Sequence, residues 1–431
     1  MPLNSSISVV GLGYVGLPLA IHLAKHFQVI GFDISKPRVE ELLNGHDRTE
    51  EIDSSTLRSS TLHITDAAKS IADCTIHIIT VPTPVDAHNQ PDLKPVIAAT
   101  NTVAPFVKKG DIIVYESTVY PGVTEDICGP ILQEKSGLVC GKDFFLGYSP
   151  ERINPGDKVH TVDKITKIVA GQTPEVAETL RTVYGTMNND NIFVAANIKT
   201  AEAAKVIENA QRDINIAFVN EIAMIFNKMG LSTHDVLEAA GTKWNFLNFT
   251  PGLVGGHCIG VDPYYLSHCA EKLGLNPQVI LSGRDTNESM ARKTAEAIEG
   301  ARALRQGSNT PRTLILGLTF KENVPDLRNS KIPDLIANLQ ELGHAVDVHD
   351  PMADPAESKE FYGIDILTSL DPETRTEGGY NCIIAAVPHE GYRNMSAQSL
   401  QQLAQPAALF CDLKGIWRDR DFDPEYGYWC L

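Results

Sequence analysis

Ile7-Ser8-Val9-Val10-Gly11-Leu12-Gly13-Tyr14-Val15-Gly16 is the stretch that decides the fold. Its apolar start predicts a strand over Ile7–Gly11, and its glycines have the spacing G-x-G-x-x-G. In such a turn the first glycine permits the tight bend, the second admits a pyrophosphate, and the third lets a helix pack against the strand. A helix starting near Tyr14 would direct its N-terminal amides at the phosphates. The stretch therefore predicts a dinucleotide-binding β-α-β unit.

Asp33 closes the second predicted strand, Val29–Asp33, at the distance from the glycines where a carboxylate binds a ribose 2′-hydroxyl. The same carboxylate would repel a 2′-phosphate, so the sequence favours NAD over NADP as the cofactor.

Alternation of apolar runs with helical patterns continues through the first half of the chain. Further strands are predicted at Thr75–Val81, Asp111–Ser117, Phe144–Ser149, Lys167–Ala170 and Ile192–Ala195. The runs are too continuously apolar for a half-exposed sheet and favour strands covered by helices on both faces. This pattern predicts a doubly wound, parallel α/β domain.

The pattern changes at Thr200–Met229, which contains neither glycine nor proline and is followed by Gly230. It predicts a helix of about 45 Å, too long for a crossover and suited to a spine between domains. Further helices are predicted at Thr233–Ala240, Pro263–Leu273 and within Pro277–Gln306. Together they predict a helical middle domain, a common place for a dimer interface.

From Pro311 the β/α alternation resumes and predicts a second, smaller α/β unit. Its predicted strands are Thr313–Gly317, Ala345–Asp350, Ile383–Val387 and Leu409–Asp412, with a helix over Ile332–Leu342. The tail after Trp417 has no strong pattern. We place the domain boundaries at residues 1–198, 199–306 and 307–431.

Composition narrows the class of protein. The chain has 431 residues, 43% of them hydrophobic and 21% charged, and a formal net charge of −17, which argues against nucleic-acid and anionic-membrane partners. No apolar run is long enough to span a bilayer, and the first residues lack the features of a signal peptide, so we expect a cytoplasmic protein. The eight cysteines form no C-x-x-C pair, and we expect no metal site.

Candidate reactive groups follow the predicted strands. Pro82, Thr83 and Thr118 come after strand ends, where α/β sheets bind ligands, although loop and cap chemistry explains them almost equally well. Glu151 also follows a strand, as a general acid or base or as a solvated loop charge. Lys205 and Asn209 share a face of the long helix and could stabilise an oxyanion, or lie on a solvated face.

Cys258 follows Gly255-Gly256-His257 and precedes Asp262 by four residues. Glycine neighbours add no side-chain packing, and a redox cofactor with a thiol suggests oxidation of a carbon held on sulfur. A buried, inert thiol is an equally good reading of the residue alone.

Taken in order, these motifs resemble the UDP-glucose/GDP-mannose dehydrogenase family over nearly the whole chain. The resemblance rests on Gly11–Pro18, Val81–Pro84, Glu116–Val119, Ser149–Arg152, Lys205 with Asn209, Gly255–Cys258 and Gly317–Lys321. It implies two successive oxidations of C6 of a nucleotide sugar, from alcohol to carboxylate, with two NAD⁺. The implied fold is an N-terminal Rossmann domain, a helical dimer-forming middle built on the long helix, and a C-terminal Rossmann-like domain that holds the nucleotide.

The resemblance also implies roles for single residues. Cys258 would be the nucleophile, Lys205 and Asn209 would stabilise oxyanions, Asp262 and Thr118 would assist proton transfer, and Glu151 would take part in thioester hydrolysis. The implied cofactor contacts are Gly11, Gly13, Tyr14, Val15, Gly16, Asp33, Pro82, Thr83, Thr118 and Arg328. The implied substrate contacts are Glu151, Arg152, Lys205, Asn209, Gly255, Phe320 and Lys321.

Two stretches, Leu253–Tyr265 and Ser149–Gly156, resemble the N-acetylhexosamine branch of the family rather than the glucose branch. The expected substrate is UDP-N-acetylglucosamine or UDP-N-acetylgalactosamine, for bacterial surface polysaccharides such as capsule or O-antigen. UDP-N-acetylmannosamine and UDP-glucose stay open as alternatives, as do a single two-electron oxidation and a non-catalytic nucleotide-sugar or NAD-binding protein. A homodimer or higher homo-oligomer is expected.

Overall fold

The computed structural model describes residues 5–86, 88–152, 159, 161, 163–256, 259–306, 310–370 and 379–431. The chain divides into two compact units. Unit 1 comprises Met1–Asn209 and Val261–Asn276, and unit 2 comprises Ala210–Gly260 and Pro277–Leu431. The three-domain boundaries given above stay a prediction.

The secondary structure alternates through both units. The strands are β1 Ser6–Val10, β2 Gln28–Phe32, β3 His63–Thr65, β4 Ile76–Ile79, β5 Ile112–Tyr115, β6 Phe145–Tyr148, β7 Lys167–Gly171, β8 Ile192–Val194, β9 Arg312–Leu316, β10 Ala345–His349, β11 Ile366–Leu367, β12 Tyr380–Ala385, β13 Ala404–Asp412 and β14 Gly427–Cys430. The helices are α1 Gly16–Ala24, α2 Lys36–Leu43, α3 Ser54–Ser59, α4 Lys94–Val103, α5 Gly129–Ser136, α6 Pro174–Gly185, α7 Ile198–Met229, α8 Thr233–Gly241, α9 Asp262–Lys272, α10 Gln278–Gln306, α11 Ile332–Glu341, α12 Pro355–Tyr362, α13 Glu390–Arg393 and α14 Ala397–Gln401.

The sheet of unit 1 has the order β3-β2-β1-β4-β5-β6-β7-β8 over the described residues. All neighbours are parallel except β6 and β7, which pair antiparallel through Gly147↔Gly171 and Tyr148↔Ala170. Because β1 lies between β2 and β4, the crossover changes direction there, and the crevice at the carboxyl ends of these strands is where such sheets bind nucleotides.

Two apolar layers cover the sheet of unit 1. Val10 and Ile113 face one cluster of buried residues, whereas Val9, Ile112 and Val114 face the other. The alternation follows the two-residue period of a strand, and every residue of β4 and β5 is buried. The prediction of strands covered on both faces is therefore confirmed.

Helix α7 runs for 32 residues, which corresponds to about 48 Å at 1.5 Å per residue. The Asn197 side chain caps its start by accepting from the backbone amide of Thr200 at 2.8 Å. Its end is set by Gly230, which has φ +71°. The prediction of one long, uninterrupted helix is confirmed, and the helix starts two residues before the predicted Thr200 because Asn197 supplies the cap.

Unit 2 contains a sheet with the order β11-β10-β9-β12-β13-β14, in which all the described strands are parallel. Counted from its own first strand, β9, this repeats the order of the first six strands of unit 1. Buried residues cover both faces, with Ile315 and Ile384 in one cluster and Leu314 and Ile383 in the other. The C-terminal Rossmann-like sheet predicted from the sequence is present.

Several elements differ from the predictions. Helix α1 starts at Gly16, two residues after the predicted start near Tyr14, and the helical bond from Leu17 N to Gly13 O at 3.2 Å already encloses residues 14 and 15. Strand β14 lies in the tail where no element was predicted, and pairs Gly427 with Leu409 of β13. Strands β3 and β11 were also missed, since each has three residues or fewer and no apolar alternation.

Among the described residues, no helix has both the length and the apolar character needed to cross a bilayer. In the same part of the chain, no group of three or more histidine, cysteine or acidic side chains is arranged to hold a metal ion.

Candidate active site

The glycine-rich turn of unit 1 has the geometry of a pyrophosphate cradle. Gly11 has φ +98°, which side chains rarely adopt, and its amide donates to Phe32 O at 2.8 Å. A Cβ on Gly16 would collide with the carbonyl oxygen of Gly11 and with the Thr80 hydroxyl. A Cβ on Gly13 would meet nothing within 4 Å, so that position faces open space beside the start of α1. The turn thus leaves room where a phosphate needs it.

Asp33 lies beside this cradle, as the sequence predicted. Its carboxylate accepts from the Leu12 amide and from the Ser35 amide, each at 2.8 Å. Leu12 O in turn accepts from Arg38 Nε at 2.9 Å. The rest of the Arg38 guanidinium is held by Glu41 and Asp47, each at 2.7 Å. Because the buried Arg38 is already paired with these two carboxylates, it does not offer its charge to a 2′-phosphate. The group that remains for the ribose is the Asp33 carboxylate, and the site therefore fits NAD.

The loops that follow β4 and β5 are joined to each other. Ser117 Oγ donates to Val81 O at 2.6 Å, and the half-buried Thr118 comes next in the chain. Tyr265, on α9, donates from its hydroxyl to Pro84 O at 3.1 Å. Pro82 is exposed and Thr83 half-buried. The predicted contacts Pro82, Thr83 and Thr118 therefore lie at the carboxyl ends of the central strands, where a fold of this kind binds its ligand.

Lys205, Asn209 and Asp262 form one buried cluster in unit 1. The first two occupy successive turns of α7, and Asp262 is the first residue of α9. Asn209 Nδ2 donates to Asp262 Oδ2 at 2.5 Å, and Lys205 Nζ lies 4.0 Å from the same oxygen. Each of the three residues is at most 7% exposed. The solvated-face reading of Lys205 and Asn209 is therefore wrong.

Burial changes the acidity of this cluster. Loss of solvent raises the pKa of Asp262 to about 6, and the Lys205 charge and the Asn209 hydrogen bond offset only part of that effect. A carboxyl group with this pKa can gain and lose a proton near neutral pH, as a proton-transfer group must.

Glu151 is only 8% exposed, so it is not a solvated loop charge. Its carboxylate accepts from the Arg152 amide at 2.6 Å and lies 3.3 Å from Lys167 Nζ. Arg152 pairs with Glu208 at 2.8 Å and donates to Thr166 O at 2.9 Å. Glu151 and Arg152 are therefore both held by contacts with other residues of unit 1.

In unit 2, Gly255 and Gly256 pack against the segment that follows β9. Gly256 N donates to Asn329 O at 3.0 Å, and Asn329 Nδ2 donates back to Gly256 O at 2.8 Å. Gly256 has φ +82°, and a Cβ there would collide with the Phe320 ring. Both glycines are therefore required by close backbone packing. Arg328, predicted on the cofactor side, is paired with Asp326 at 2.8 Å.

A pocket that is open to solvent lies within unit 2. Gly255, Phe320 and Lys321, all predicted substrate contacts, line it together with Lys331 and Lys414. Burial lowers the pKa of Lys414, whose ammonium donates to Pro251 O at 3.0 Å. The lysines offer this pocket positive groups suited to a diphosphate, although Lys331 is also paired with Glu288 at 2.6 Å and Glu322 lines the pocket as well.

Cys258, predicted as the nucleophile, and its neighbour His257 lie outside the described residues.

Sequence reasoning missed several buried charged groups. Glu116 and Lys167 form an ion pair inside unit 1, although Lys167 opens an apolar strand and Glu116 directly follows another. Glu202, on α7, accepts from the amides of Gly122 at 2.6 Å and Thr124 at 3.0 Å. A charged residue within or beside a buried strand indicates a buried ion pair or hydrogen bond. The spacing of residues along the chain does not show which residue is the partner.

Comparison with known proteins identifies this arrangement. Residues 5–188 match the NAD binding domain of the UDP-glucose/GDP-mannose dehydrogenase family, residues 199–289 its central domain, and residues 314–419 its UDP binding domain. The chain is 48% identical to Protein CapL of Staphylococcus aureus, over 100% of both chains. It is also 48% identical to the UDP-N-acetyl-D-glucosamine 6-dehydrogenase of Pseudomonas aeruginosa, over 95% of this chain and 96% of that one.

Among solved structures, a UDP-D-ManNAc dehydrogenase from Pyrococcus horikoshii superposes with a TM-score of 0.87 at 27% identity, covering 98% of each chain. The protein is an NAD-dependent nucleotide-sugar 6-dehydrogenase. This class is defined by a glycine cradle with a carboxylate for the ribose and by a UDP-binding domain. The chain belongs to the UDP-glucose/GDP-mannose dehydrogenase family.

Proposed function

We propose that the protein oxidises C6 of a UDP-N-acetylhexosamine, UDP-N-acetylglucosamine or its 4-epimer, to the uronic acid. One observation carries the choice of sugar. Relatives named UDP-N-acetyl-D-glucosamine 6-dehydrogenase are 47–48% identical over at least 95% of the chain, whereas those named UDP-N-acetyl-D-mannosamine dehydrogenase are 31–32% identical. We further propose that the product serves a bacterial surface polysaccharide.

The proposed reaction removes four electrons from one carbon. NAD⁺, which the glycine cradle and Asp33 would hold, would supply the hydride acceptor for both oxidations. We assign to Cys258 the covalent part: its thiolate adds to the C6 aldehyde to give a thiohemiacetal, and the second oxidation converts this adduct to a thioester. Water then releases the carboxylate and returns the thiol. Holding the aldehyde on sulfur prevents its escape between the oxidations.

Lys205 and Asn209 are proposed to stabilise the oxygen that becomes negative at C6. An ammonium and an amide that are at least nine-tenths buried act in a low-dielectric environment, where hydrogen bonds to a developing charge are worth most. Asp262 keeps both groups in place through contacts at 2.5 and 4.0 Å. Its pKa of about 6 suits it, together with Thr118, to pass the hydroxyl proton.

Glu151 is proposed to act at the last step, by taking a proton from the water that attacks the thioester. Its carboxylate is held by the Arg152 amide and by Lys167, so it keeps one orientation. Substrate contacts are assigned to the lysine-rich pocket of unit 2, and cofactor contacts to the glycine cradle, Asp33 and the loops after β4 and β5.

The substrate is tested by measuring NADH release with UDP-N-acetylglucosamine, UDP-N-acetylgalactosamine, UDP-N-acetylmannosamine and UDP-glucose. We expect the highest kcat/KM with one of the first two, and two NADH for each uronate. Preference for UDP-glucose or the mannosamine sugar would overturn the substrate assignment. One NADH per product would indicate an ordinary two-electron dehydrogenase, and no turnover with any sugar would indicate a binding protein.

The covalent step is tested with Cys258→Ser. We expect acid formation to fall by at least about 1,000-fold. A serine hydroxyl is a much weaker nucleophile than a thiolate, and the ester that it would form releases a poorer leaving group than a thioester does. Cys140→Ser is the control, since Cys140 is a half-buried thiol hydrogen-bonded to Gln172 in unit 1. Uronate production by Cys258→Ser at the control rate would exclude a covalent intermediate.

A homodimer is also proposed. Phe218, Ile225 and Met229 on α7 are 59%, 48% and 63% exposed, and Trp244 is 91% exposed, which is costly for large apolar side chains in water. Light scattering after size-exclusion chromatography should give at least twice the chain mass of 47.0 kDa. Phe218→Glu should shift the protein towards the single-chain mass, and a monomeric wild type would refute the proposal.

A further inference from the structure

Asp350 has the same place in the sheet of unit 2 as Asp33 has in the sheet of unit 1. Asp33 follows β2 and Asp350 follows β10, and each is the end of the second strand of its sheet in chain order. Asp33 accepts from the Leu12 amide at 2.8 Å, and Asp350 accepts from the Leu318 amide at 2.6 Å. Gly317, before Leu318, has φ +102°, a positive value like that of the first glycine of the turn in unit 1. Unit 2 therefore repeats both the turn and the carboxylate.

The Asp350 carboxylate, however, is already bound by the protein itself. Its Oδ2 accepts from the amides of Leu318 at 2.6 Å and Thr319 at 2.9 Å and lies 3.1 Å from His389 Nε2. Its Oδ1 accepts from two amides of the turn after β10, at 2.8 and 3.2 Å. Because a carboxylate offers about four lone pairs, a ribose hydroxyl would have to displace one of these donors. Asp350 therefore holds the protein where Asp33 is placed to hold a ligand.

His389 connects this carboxylate to the segment that follows β9. The ring is buried, and its Nδ1 accepts from the Asn323 amide at 2.9 Å. Because a backbone amide can only donate, the ring hydrogen is on Nε2, which donates to Asp350 and lies 3.2 Å from Thr319 Oγ1. Asp350 and His389 thus form one buried, hydrogen-bonded pair.

The pair binds both ends of the segment 319–323. At one end the Thr319 amide meets the carboxylate, and Thr319 Oγ1 donates to Lys321 O at 3.0 Å. At the other end the Asn323 amide meets the imidazole, and Asn323 Oδ1 accepts from the Glu390 amide at 3.0 Å. Phe320 and Lys321 lie between these ends and line the pocket of unit 2. The backbone that carries two lining residues is therefore fixed from within the protein.

We propose that Asp350 and His389 are positioning residues for the sugar nucleotide, which hold the segment 319–323 so that Phe320 and Lys321 are in place before the substrate binds. A segment that is already ordered costs less free energy to order when its ligand arrives, and the affinity rises accordingly. The proposal rests on the assignment of the pocket of unit 2 to the substrate, put forward above.

The charge of Asp350 strengthens this arrangement. Burial alone would raise the pKa of its carboxyl group, but the hydrogen bond and charge of His389 and the two amides outweigh burial and lower the pKa to about 2. Asp350 is therefore ionised at neutral pH, and hydrogen bonds to an ionised acceptor are stronger than those between neutral groups.

His389→Ala tests the proposal, because it removes the acceptor for the Asn323 amide and the donor to Asp350. The substrate must then order the segment itself, so we expect the KM for the UDP-sugar to rise about ten-fold, with kcat within about three-fold and the KM for NAD unchanged. The affinity for UDP alone, measured by calorimetry, should weaken by a similar factor.

His344→Ala is the matched control. His344 is also buried in unit 2 and has two side-chain partners, Thr313 at 2.7 Å and Glu299 at 3.1 Å, but it lies at the amino ends of β9 and β10. The pocket residues follow the carboxyl ends of the strands, so this variant should lower the melting temperature and leave both KM values unchanged. A merely structural role of His389 would give the same result in His389→Ala, and that result would overturn the proposal.

Thr319 allows a comparison at one position. Thr319→Val removes the hydroxyl that donates to Lys321 O, whereas Thr319→Ser keeps it. We expect the KM for the UDP-sugar to rise about five-fold in the valine variant and to stay near the wild-type value in the serine variant. An equal rise in both would attribute the effect to lost packing and contradict the proposal.

Asn323→Gly keeps the proposal testable if the buried variants do not fold. Asn323 is exposed and has φ +56°, which glycine adopts without strain. The variant loses only the bond to the Glu390 amide, and the KM for the UDP-sugar should rise about three-fold. An unchanged KM would show that this end of the segment needs no such contact and would count against the proposal.

Lys321→Ala separates this inference from the proposed function. An unchanged KM for every UDP-sugar in that variant would overturn the assignment of the pocket, and this inference with it. A raised KM in Lys321→Ala, with wild-type KM values in His389→Ala, Thr319→Val and Asn323→Gly, would overturn this inference alone.

Discussion

Replacing Asp262 by asparagine should make the protein more stable and far less active. Asp262 is 2% exposed, and the pKa of its carboxyl group is raised from 3.8 to about 6 because burial disfavours the charged form. Lys205 at 4.0 Å and Asn209 at 2.5 Å offset only part of that cost. Asparagine has nearly the same shape, keeps an oxygen for the Asn209 amide, and carries no charge to desolvate.

The size of the effect follows from proton linkage. Between pH 3.8 and about 6 the folded protein holds a proton on Asp262 that the unfolded chain has lost, so stability falls as the pH rises through this window. Above pH 6 the loss is complete and amounts to about 3 kcal/mol. At pH 8 the variant should therefore melt about 3–6 °C higher than the wild type, since the shift per kcal/mol becomes smaller as the chain becomes longer. At pH 5 the difference should be about half as large.

Thermal unfolding at pH 5 and pH 8, without ligands, measures this directly. Asp126→Asn is the control, because Asp126 is 63% exposed and pairs with Lys199 on the surface of the same unit, so its effect should be small at both pH values. Turnover of Asp262→Asn should fall about 100-fold. A variant less stable than the wild type at pH 8 would show that the ion pair outweighs desolvation and would refute the reasoning.

Three further substitutions test the cofactor site. Gly13→Ala should leave the melting temperature nearly unchanged but weaken NAD binding at least ten-fold in a fluorescence titration. Gly16→Ala should lower both the melting temperature and the affinity for NAD, because only at Gly16 does a Cβ collide with the backbone. Equal melting temperatures for the two variants would contradict this. Tyr265→Phe removes the hydrogen bond to Pro84 O, worth about 1 kcal/mol, and should raise the KM for NAD about five-fold while leaving the KM for the sugar unchanged. An unchanged KM for NAD would show that the loop after β4 is held without that bond.

The fold could be predicted from the sequence where its signals are local. The strand Ile7–Gly11, the glycine turn and the uninterrupted run to Met229 each carry their own periodicity or backbone requirement, and each is present within a few residues. Strand β14 could not be found in this way, because its four residues Gly427–Cys430 have no alternation of their own. It becomes a strand through pairing with β13, which is a tertiary effect.

The same distinction explains the active-site predictions. Lys205 and Asn209 were predicted as a pair because helical spacing alone puts them on one face, and Asp262 was predicted through the motif that contains it. Glu116 and Lys167 are 51 positions apart in the chain and meet only because β7 pairs with β6 in reverse, which brings Ala170 beside Tyr148. The spacing of residues along the chain does not predict this antiparallel pairing. A lysine that opens a buried strand was still informative, since such a charge requires a buried partner. The sequence could therefore predict that Lys167 had a carboxylate beside it, and only the sheet order could say which one.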